Sequence, residues 1–504
     1  MLSFSLSEIK RISFLSFVIV AVTVLSGCSK PEEERSDYLH TDIQFIYSKC
    51  EAQSFDGTVT SNVDWSVSGM TDWCSVSLEK GAGDGRTRQI SVILTENTKN
   101  YSRHTTLYIT GGAVTVKIPV SQRGISAKVE NVLVMYMIGN NNLSGYLSGN
   151  VKQALEAVSK GVLGSDGRIL VFSDTGSGST LSELEYDYEK RAGVCIEIKD
   201  YGTVNCTDPL VIAKVMNDIE QEAPASHYAI SIGAHGFGWL PGYLGTDRRN
   251  RSVNPAAKNW MQAKAHWSCD ESSTRNIGPD GSSWMDTSDL AAGLSGLHFD
   301  FMMLDVCFMA SVEALYDLRG TADYIMASPC EIMAKGFPYG EIVSSMFSDW
   351  GGWSSVADCF VDYFASESYF NSAYISVVKT SELDALAQRF SDVVNSGLVS
   401  EVDADRVQHY EQLDSHIFYD MEHYVRSMNC TSEPLVEEFL TQLSRTVVYT
   451  RSTGRIWSNI YGSRGEWITL QHACGLSSYI PRDIYPVFGQ AYRNTAWGRR
   501  VYTE

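Results

Sequence analysis

The chain has 504 residues, more than one ordinary hydrophobic core accommodates, so we expect two or three domains. Hydrophobic residues make up 44% of the sequence, which excludes large-scale disorder. The formal net charge of −20 argues against partners held by electrostatic attraction, such as nucleic acids or anionic lipid surfaces.

Residues 1–27 are typical of a targeting segment rather than of a fold. Lys10 and Arg11 precede an apolar run that is too short to span a bilayer comfortably, although an N-terminal membrane anchor remains the alternative. The run ends in the letters LSGC, which resemble a bacterial lipobox and imply lipid attachment to Cys28. Residues 28–40 form a tether with an acidic run, EEE, similar to the export tag of surface lipoproteins in Bacteroides-like bacteria. The expected location is therefore the outer membrane, lipid-anchored and facing the cell surface.

Residues 41–123 have the pattern of an all-β domain. Apolar and polar residues alternate in WSVS, RQISVIL, RHTTLYIT and AVTVKIPV, with Gly, Asn and Asp between these runs. This alternation is typical of short antiparallel strands in a sandwich. The segments NVDWSVS, ISVILTENTKNYSRHTTLYITGG and IPVSQRG resemble the BACON family, an immunoglobulin-like sandwich associated with glycan or mucin binding. Core positions explain Trp65 and Trp73 better than a sugar-binding platform does.

From residue 124 onwards, apolar strands alternate with helices. NVLVMYMI, RILVFSD, VCIEIKDYG, HYAISIGA and FDFMMLDV are continuous apolar runs, and PLVIAKVMNDIEQEA has helical spacing with Val211, Val215 and Ile219 on one face. This order predicts an α/β fold with a mainly parallel sheet covered on both faces. In such sheets, ligands bind beyond the carboxyl ends of the strands.

Two further segments complete the predicted organisation. The polar segment Tyr243–Asp286 is too long for an ordinary connection and indicates an exposed insertion. Residues 396–504 are predicted to be mostly helical, with late strands near Val447 and Leu476. We expect this subdomain to complete the α/β core at residues 124–395.

Two of the predicted strands are followed by residues that suit nucleophilic chemistry. His235 comes after HYAISIGA and Cys307 comes after FDFMMLDV, so both are expected at the same edge of the sheet. A thiol attacks a carbonyl as thiolate, and histidine is the usual partner that removes its proton. The N–H groups of Gly236 and of Cys307, the latter expected at a helix start, are candidate donors to an oxyanion. Either residue alone is more often structural, and only the joint pattern favours a Cys–His pair.

The segments VLVMYMIGNNNL, HYAISIGAHGFGW, LDVCFMASVEALYDLRGTADYIMAS, KGFPY and CGLSSYIP resemble clostripain-type cysteine peptidases over roughly residues 129–490. The resemblance implies a caspase-like α/β/α sandwich and peptide hydrolysis through a thioester intermediate. It assigns Cys307 as nucleophile and His235 as general base, without a third catalytic residue and without a cofactor.

The same resemblance implies cleavage after Arg or Lys, the P1 residue, through carboxylates in the S1 pocket. Asp305, two residues before the cysteine, matches one of these carboxylates, although such a residue is also typical of a helix cap. The second carboxylate position in the family's GDGWPY-like motif holds Lys335 here, in AKGFPY. Lys335 would repel a basic side chain, pair with Asp305 or turn into solvent, so the P1 preference stays open.

Other features are less specific. The resemblance implies activation by self-cleavage between His235 and Cys307, and Arg248–Arg275 is rich enough in Arg and Lys to be a target, or simply a solvated insertion. No EF-hand spacing is present, so no metal site is predicted. His472 and Cys474 are interpreted as structural residues on one face of a strand.

Two function hypotheses follow. The first is a surface cysteine endopeptidase acting on protein or peptide substrates. The second is an inactive adhesin that keeps the peptidase fold and binds glycan or mucin through its sandwich. Disulfides are possible outside the cytoplasm, for example between Cys50 and Cys74, but spacing alone does not assign them.

Overall fold

The computed structural model describes residues 36–125, 127–164, 166–187, 190–240, 277–413, 415–459 and 465–502. The predicted leader, Cys28 and the basic segment Arg248–Arg275 lie outside these residues. Within the described ranges, no helix is both long and apolar enough to cross a membrane.

The N-terminal part is a β-sandwich of two sheets, with strand orders β1-β3-β7-β5 and β2-β9-β8-β4-β6. Trp65 is 3% exposed in its core, as predicted, and Trp73 is half-buried beneath the guanidinium of Arg103. Cys50 and Cys74 are both free thiols, so the suggested disulfide is not formed. The strands are β1 (Leu39–Thr41), β2 (Ile46–Ser48), β3 (Gln53–Ser61), β4 (Trp65–Ser68), β5 (Cys74–Val76), β6 (Lys80–Gly81), β7 (Arg88–Leu94), β8 (Arg103–Gly111) and β9 (Val114–Gln122).

The following part is built on a nine-stranded sheet with the order β13-β12-β11-β10-β14-β18-β19-β20-β22. Its five central strands, from β11 to β19, run parallel, and the strands at both edges are antiparallel. The strands of this part, including short ones outside the nine-stranded sheet, are β10 (Val129–Ile138), β11 (Gly167–Asp174), β12 (Ser179–Asp187), β13 (Ala192–Gly202), β14 (Ala225–Gly233), β15 (His235–Gly236), β16 (Ile277–Asp280), β17 (Ser283–Met285), β18 (Phe299–Asp305), β19 (Ala322–Ala327), β20 (Tyr374–Lys379), β21 (Tyr419–Asp420), β22 (Val447–Ser452), β23 (Arg455–Ser458), β24 (Glu466–Thr469) and β25 (Ser477–Ser478).

Helices cover both faces of this sheet and form two separate apolar cores. The described α-helices are α1 (Ser144–Val158), α2 (Pro209–Glu222), α3 (Thr287–Leu294), α4 (Val312–Leu318), α5 (Tyr339–Ser348), α6 (Trp353–Ser366), α7 (Leu383–Val394), α8 (Met421–Ser427), α9 (Glu433–Thr446), α10 (Pro486–Arg493) and α11 (Ala496–Val501). Helices α1, α5 and α6 pack on one face, and α2, α3, α4 and α7 pack on the other.

Helix α2 shows how local sequence starts a covering helix. The Asp208 side chain accepts the N–H of Leu210 at 2.8 Å, and a proline occupies the first turn, where no N–H is needed. The buried face is Ile212, Val215, Met216 and Ile219. Val211, predicted on that face, is only half-buried, and its neighbour Ile212 is buried instead.

The C-terminal region completes the α/β core. Strand β22 adds to the sheet beside β20, and the N–H of Ser477 donates to the carbonyl of Ala310 at 2.9 Å, behind the turn that holds Cys307. His472 and Cys474 lie in the loop between β24 and β25, so their predicted placement in a strand is wrong.

The sandwich packs against the β12–β13 edge of the large sheet. Ion pairs join Lys49 to Glu185 at 3.1 Å and Asp42 to Arg191 at 2.5 Å. The ring of Phe45 lies 4.8 Å from that of Tyr186. This edge is four strands away from β14 in the sheet order.

Candidate active site

Neighbouring parallel strands deliver His235 and Cys307 to the same edge of the sheet. Strands β14 and β18 pair with Gly233 opposite Asp305, and each candidate catalytic residue follows its strand by two positions. His235 then lies in β15, which pairs with β16, so the end of the insertion holds the histidine in place. Residues 277–280 are buried, so the prediction that the whole insertion is exposed is wrong there.

The two residues line one open cavity. Its volume is about 680 Å³. Ligand pockets usually measure about 300–1,000 Å³, so this cavity has the size of a ligand-binding site. The lining includes all the residues predicted for the site, namely His235, Gly236, Asp305, Cys307 and Lys335, and further residues such as Asn150, Phe237, Glu331, Trp457 and Asn459.

Cys307 is half-buried and its sulfur is held by the backbone of one residue. The Ile332 N–H donates to Sγ at 3.3 Å, and Sγ lies 3.7 Å from the Ile332 carbonyl oxygen. Burial, and next the charge of Glu331, raises the pKa of the Cys307 thiol well above its ordinary value. The resting cysteine is therefore a thiol rather than a thiolate, and it needs a base to become nucleophilic.

His235 is available as that base. Burial lowers the pKa of its imidazole to about 4, so the ring is neutral at pH 7. Its Nε2 atom lies 2.6 Å from the Oδ1 atom of Asn142. With the amide oriented this way Oδ1 only accepts, so Nε2 carries the hydrogen and Nδ1 keeps the lone pair.

Asn142 was missed by the sequence reasoning, although a signal was present. It is the last of three asparagines that follow β10, the strand next to β14. The other two bond to β16: Asn140 Nδ2 donates to the side-chain Oδ1 of Asp280 at 2.8 Å, and Asn141 Nδ2 donates to the backbone carbonyl of Pro279 at 2.8 Å.

The backbone at Cys307 differs from the expected helix start. Cys307 lies in a tight turn and α4 begins only at Val312, so Cys307 is not at the helix start. Phe308 has φ +63°, and its N–H donates to the Cys330 carbonyl at 3.0 Å. The turn, rather than a helix dipole, sets the direction of the Cys307 N–H. Gly236, the other candidate donor, is buried in β15.

Asp305 lies beside the cysteine and is 6% exposed. Its Oδ2 accepts the Phe337 N–H at 3.0 Å and the Tyr339 hydroxyl at 3.3 Å. Burial raises the pKa of Asp305 to about 7. Gly336 has φ +65°, and a Cβ there would come within 2.5 Å of Asp305 Oδ2. Only glycine lets the chain pass this close to the carboxylate.

Lys335 does not pair with Asp305, and its side chain does not lie entirely in solvent. Its Nζ lies 2.5 Å from Glu367 Oε1 and 5.8 Å from the centroid of the Tyr363 ring. The side chain is 52% exposed. The positive charge of Lys335 is therefore matched locally by Glu367.

Glu331 is a second carboxylate of the cavity that the sequence reasoning missed. Its Oε2 accepts the Asn459 N–H at 2.7 Å, and burial raises the pKa of this side chain to about 7. Among the described residues, no Lys or Arg forms an ion pair with Glu331 or Asp305. The cavity therefore offers two carboxylates without a cationic partner.

Comparisons with known proteins match two parts of the chain. The model of the clostripain family matches residues 259–462, and that of BACON, an N-terminal binding domain, matches residues 63–123. No curated protein sequence matches the chain.

Three solved structures of cysteine proteases from the clostripain family are similar. A secreted protease of Bacteroides thetaiotaomicron, "iotapain", is 26% identical with a TM-score of 0.61, covering 75% of this chain and 100% of that one. An inactive zymogen from Parabacteroides distasonis is 27% identical with a TM-score of 0.62 at the same coverage. A third, a Bacteroides thetaiotaomicron protease with an irreversible peptide inhibitor, is 25% identical with a TM-score of 0.61, covering 74% and 98%.

These matches support the caspase-like α/β fold that the sequence predicted. The chain belongs to the clostripain family of cysteine peptidases and carries a BACON domain on its N-terminal side.

Proposed function

We propose that the protein is an endopeptidase in which Cys307 is the nucleophile, His235 is the general base and Asn142 positions the imidazole. The observation that carries this proposal is the register of β14 and β18, which brings both side chains into one open cavity. The high pKa of the thiol and the low pKa of the imidazole favour a neutral pair, with proton transfer during the attack.

The reaction balances within this pair. His235 Nδ1 takes the thiol proton as Cys307 Sγ bonds to the scissile carbonyl carbon, and the carbonyl oxygen becomes an oxyanion. The imidazolium then gives the proton to the leaving amine, which leaves a thioester. Water, deprotonated by His235, hydrolyses the thioester and restores the thiol. The N–H groups of Cys307 and Gly236 are the proposed donors to the oxyanion.

We further propose that the substrate carries Arg or Lys at P1. Asp305 and Glu331 would bind its cationic head, and Lys335 does not oppose it because Glu367 already holds the ammonium. Two half-buried or buried carboxylates lacking a cation are stabilised in their ionised form when a substrate supplies one. Glu331 thus replaces the carboxylate that the family motif would place at position 335.

The alternative of an inactive binding protein is less well supported. Both reactive residues are kept and face one cavity, and a relative that is 25% identical binds an irreversible peptide inhibitor. The cavity lining runs from Leu143 to Asn459, so the sandwich adds nothing to it within the described residues. Trp65, a potential sugar platform, is buried in the sandwich core.

A peptide-library digest tests the proposal. The wild-type chain should cleave peptides with Arg or Lys at P1, and Cys307→Ala and His235→Ala should each lose at least about 10³-fold in kcat/KM. Cleavage that survives in Cys307→Ala would place the nucleophile elsewhere. Cleavage only after uncharged residues would leave the peptidase intact and reject the S1 assignment.

We also propose that Cys28 carries a lipid that anchors the mature chain to the outer membrane, with the peptidase facing the cell surface. The support is the sequence LSGC after a short apolar run, followed by an acidic tether. Metabolic labelling with a fatty acid should mark the wild-type chain and not Cys28→Ala. Equal labelling of both chains would reject this attachment site.

A further inference from the structure

A second cluster of reactive side chains lies near the active site and takes no part in the proposed reaction. It consists of Asp174 at the end of β11, Cys206 before α2 and Asp280 at the end of β16. The three residues are 3%, 0% and 8% exposed, respectively. Their carboxylate and sulfur atoms all lie within 4.8 Å of one another.

A buried hydroxyl beside the cluster indicates a missing binding partner. Ser179 is directly opposite Asp174 in the antiparallel β11–β12 pair, so their side chains lie on the same face of the sheet. Ser179 is 0% exposed, and its Oγ has no hydrogen-bond partner among the described residues. An unpaired buried hydroxyl is costly, and its lone pairs suit a cation that the neighbouring carboxylates would also attract.

The charge balance of the cluster points in the same direction. Asp174 and Asp280 place two carboxylates around the Cys206 sulfur, whose Sγ lies 3.5 Å from Asp174 Oδ2. In the described part of the chain, no Lys or Arg forms an ion pair with either carboxylate. A bound cation would supply the positive charge that these carboxylates otherwise lack.

We propose that Asp174, Cys206 and Asp280 bind one divalent transition-metal ion of the zinc class, with the Ser179 hydroxyl next to it. One thiolate and two carboxylates suit a borderline ion such as Zn²⁺, whereas Ca²⁺ prefers oxygen ligands only. Ligands of a tetrahedral zinc ion lie about 3.5 Å apart, given bonds of about 2.0–2.3 Å. The three ligand atoms lie within 4.8 Å of one another, and Cys206 Sγ is already 3.5 Å from Asp174 Oδ2, so binding needs only a small closure.

Such an ion would act on the active site through two connections. Asp280 belongs to β16, whose residue Gly278 pairs with His235. Asn140, which donates to Asp280 at 2.8 Å, precedes Asn142 by two residues. An ion at Asp280 would thus stiffen both segments that hold the imidazole, which is a positioning role and not a catalytic one.

The test uses the full chain without an affinity tag and with Cys307→Ala, so that the active-site thiol cannot bind the probe. Equilibrium dialysis should find one Zn²⁺ per chain, and Co²⁺ should give a thiolate-to-cobalt charge-transfer band. Zn²⁺ should also raise the Tm by several degrees. Cys206→Ser should remove the band, Asp280→Asn should weaken zinc binding at least tenfold, and Cys195→Ser, at an exposed cysteine of β13, should change nothing.

Two results would overturn the proposal. One is the absence of stoichiometric zinc binding and of the cobalt band in the Cys307→Ala parent, a measurement that does not depend on whether the cluster variants fold. The other is an unchanged band in Cys206→Ser. Because these readouts require no peptide cleavage, they stand or fall independently of the proposed peptidase mechanism.

Discussion

The Nε2 atom of His235 is hydrogen-bonded to the Oδ1 atom of Asn142 at 2.6 Å, across the ends of the neighbouring strands β10 and β14. This contact fixes the ring orientation and leaves Nδ1 as the basic nitrogen. The resemblance to the family implied a dyad only. The structure adds a third side chain, on a residue that is itself exposed.

Replacing Asn142 should therefore impair proton transfer more than substrate binding. We expect Asn142→Ala to lower kcat about 10- to 100-fold with KM nearly unchanged, because the imidazole loses its orientation. Asn142→Asp should restore much of kcat and move the acidic limb of the pH–rate profile upwards from about 4, because a carboxylate stabilises the imidazolium. A wild-type kcat in Asn142→Ala would reject the positioning role.

The two carboxylates of the cavity predict a pH dependence that only basic substrates share. The pKa values of Asp305 and Glu331 are both about 7 in the free protein, and only the ionised forms attract a cation. The kcat/KM for Arg or Lys substrates should therefore rise with pH through about 7. For substrates with an uncharged P1 residue, kcat/KM should show no such rise near pH 7.

Glu331→Gln isolates one of these two carboxylates. We expect a loss of about 10- to 100-fold in kcat/KM for P1 Arg or Lys, because a hydrogen bond to a charged group contributes about 1.5–3 kcal/mol. The rise of kcat/KM with pH near 7 should also become less steep. The matched control is Glu156→Gln, which removes an exposed carboxylate of α1 that does not line the cavity. An equal loss in both variants would mean that Glu331 has no special role.

Lys335→Ala should have little effect on cleavage after basic residues. The ammonium already pairs with Glu367 and is 52% exposed, so its removal should change kcat/KM less than about threefold and stability by less than about 1 kcal/mol. Kinetics with a P1 Arg substrate and thermal unfolding provide the measurement. A tenfold gain in activity would show that Lys335 faces the bound substrate instead.

Gly336→Ala should damage the S1 pocket although it adds a single methyl group. Its Cβ would meet Asp305 Oδ2 at 2.5 Å, and φ +65° is strained for alanine, at a cost of about 1–3 kcal/mol. Both the Tm and kcat/KM for basic substrates should fall. Gly340→Ala, at a helical glycine with no neighbouring atom closer than 3.7 Å, is the control and should be tolerated.

Glu313 links stability to pH away from the site. This side chain is 0% exposed, and burial raises its pKa from 4.5 to about 7. The native state keeps a proton that the unfolded chain releases, so stability is present below about pH 4.5 and is lost as pH rises through about 7. Glu313→Gln should remove this loss, gaining up to about 3 kcal/mol at pH 8 relative to pH 4. Denaturant unfolding at the two pH values measures the difference.

Much of the fold was predictable because burial leaves a period in the sequence. Strands β10, β14 and β18 are continuous apolar runs because both of their faces are covered. In the sandwich strands, apolar and polar residues alternate because one face is exposed to solvent. Strand β12 escaped prediction because charged residues such as Glu183 are buried in it by an ion pair with Arg168, which no periodicity reveals.

By itself, the sequence determined the two-part organisation and the edge of the sheet at which His235 and Cys307 lie. It did so because apolar periodicity and residue type are local properties. The tertiary structure alone decided the partners of these residues: Asn142 on the imidazole, Glu331 in the pocket and Glu367 on Lys335. These contacts join positions up to 93 residues apart, and their energies depend on distance and burial, which only the packed chain defines.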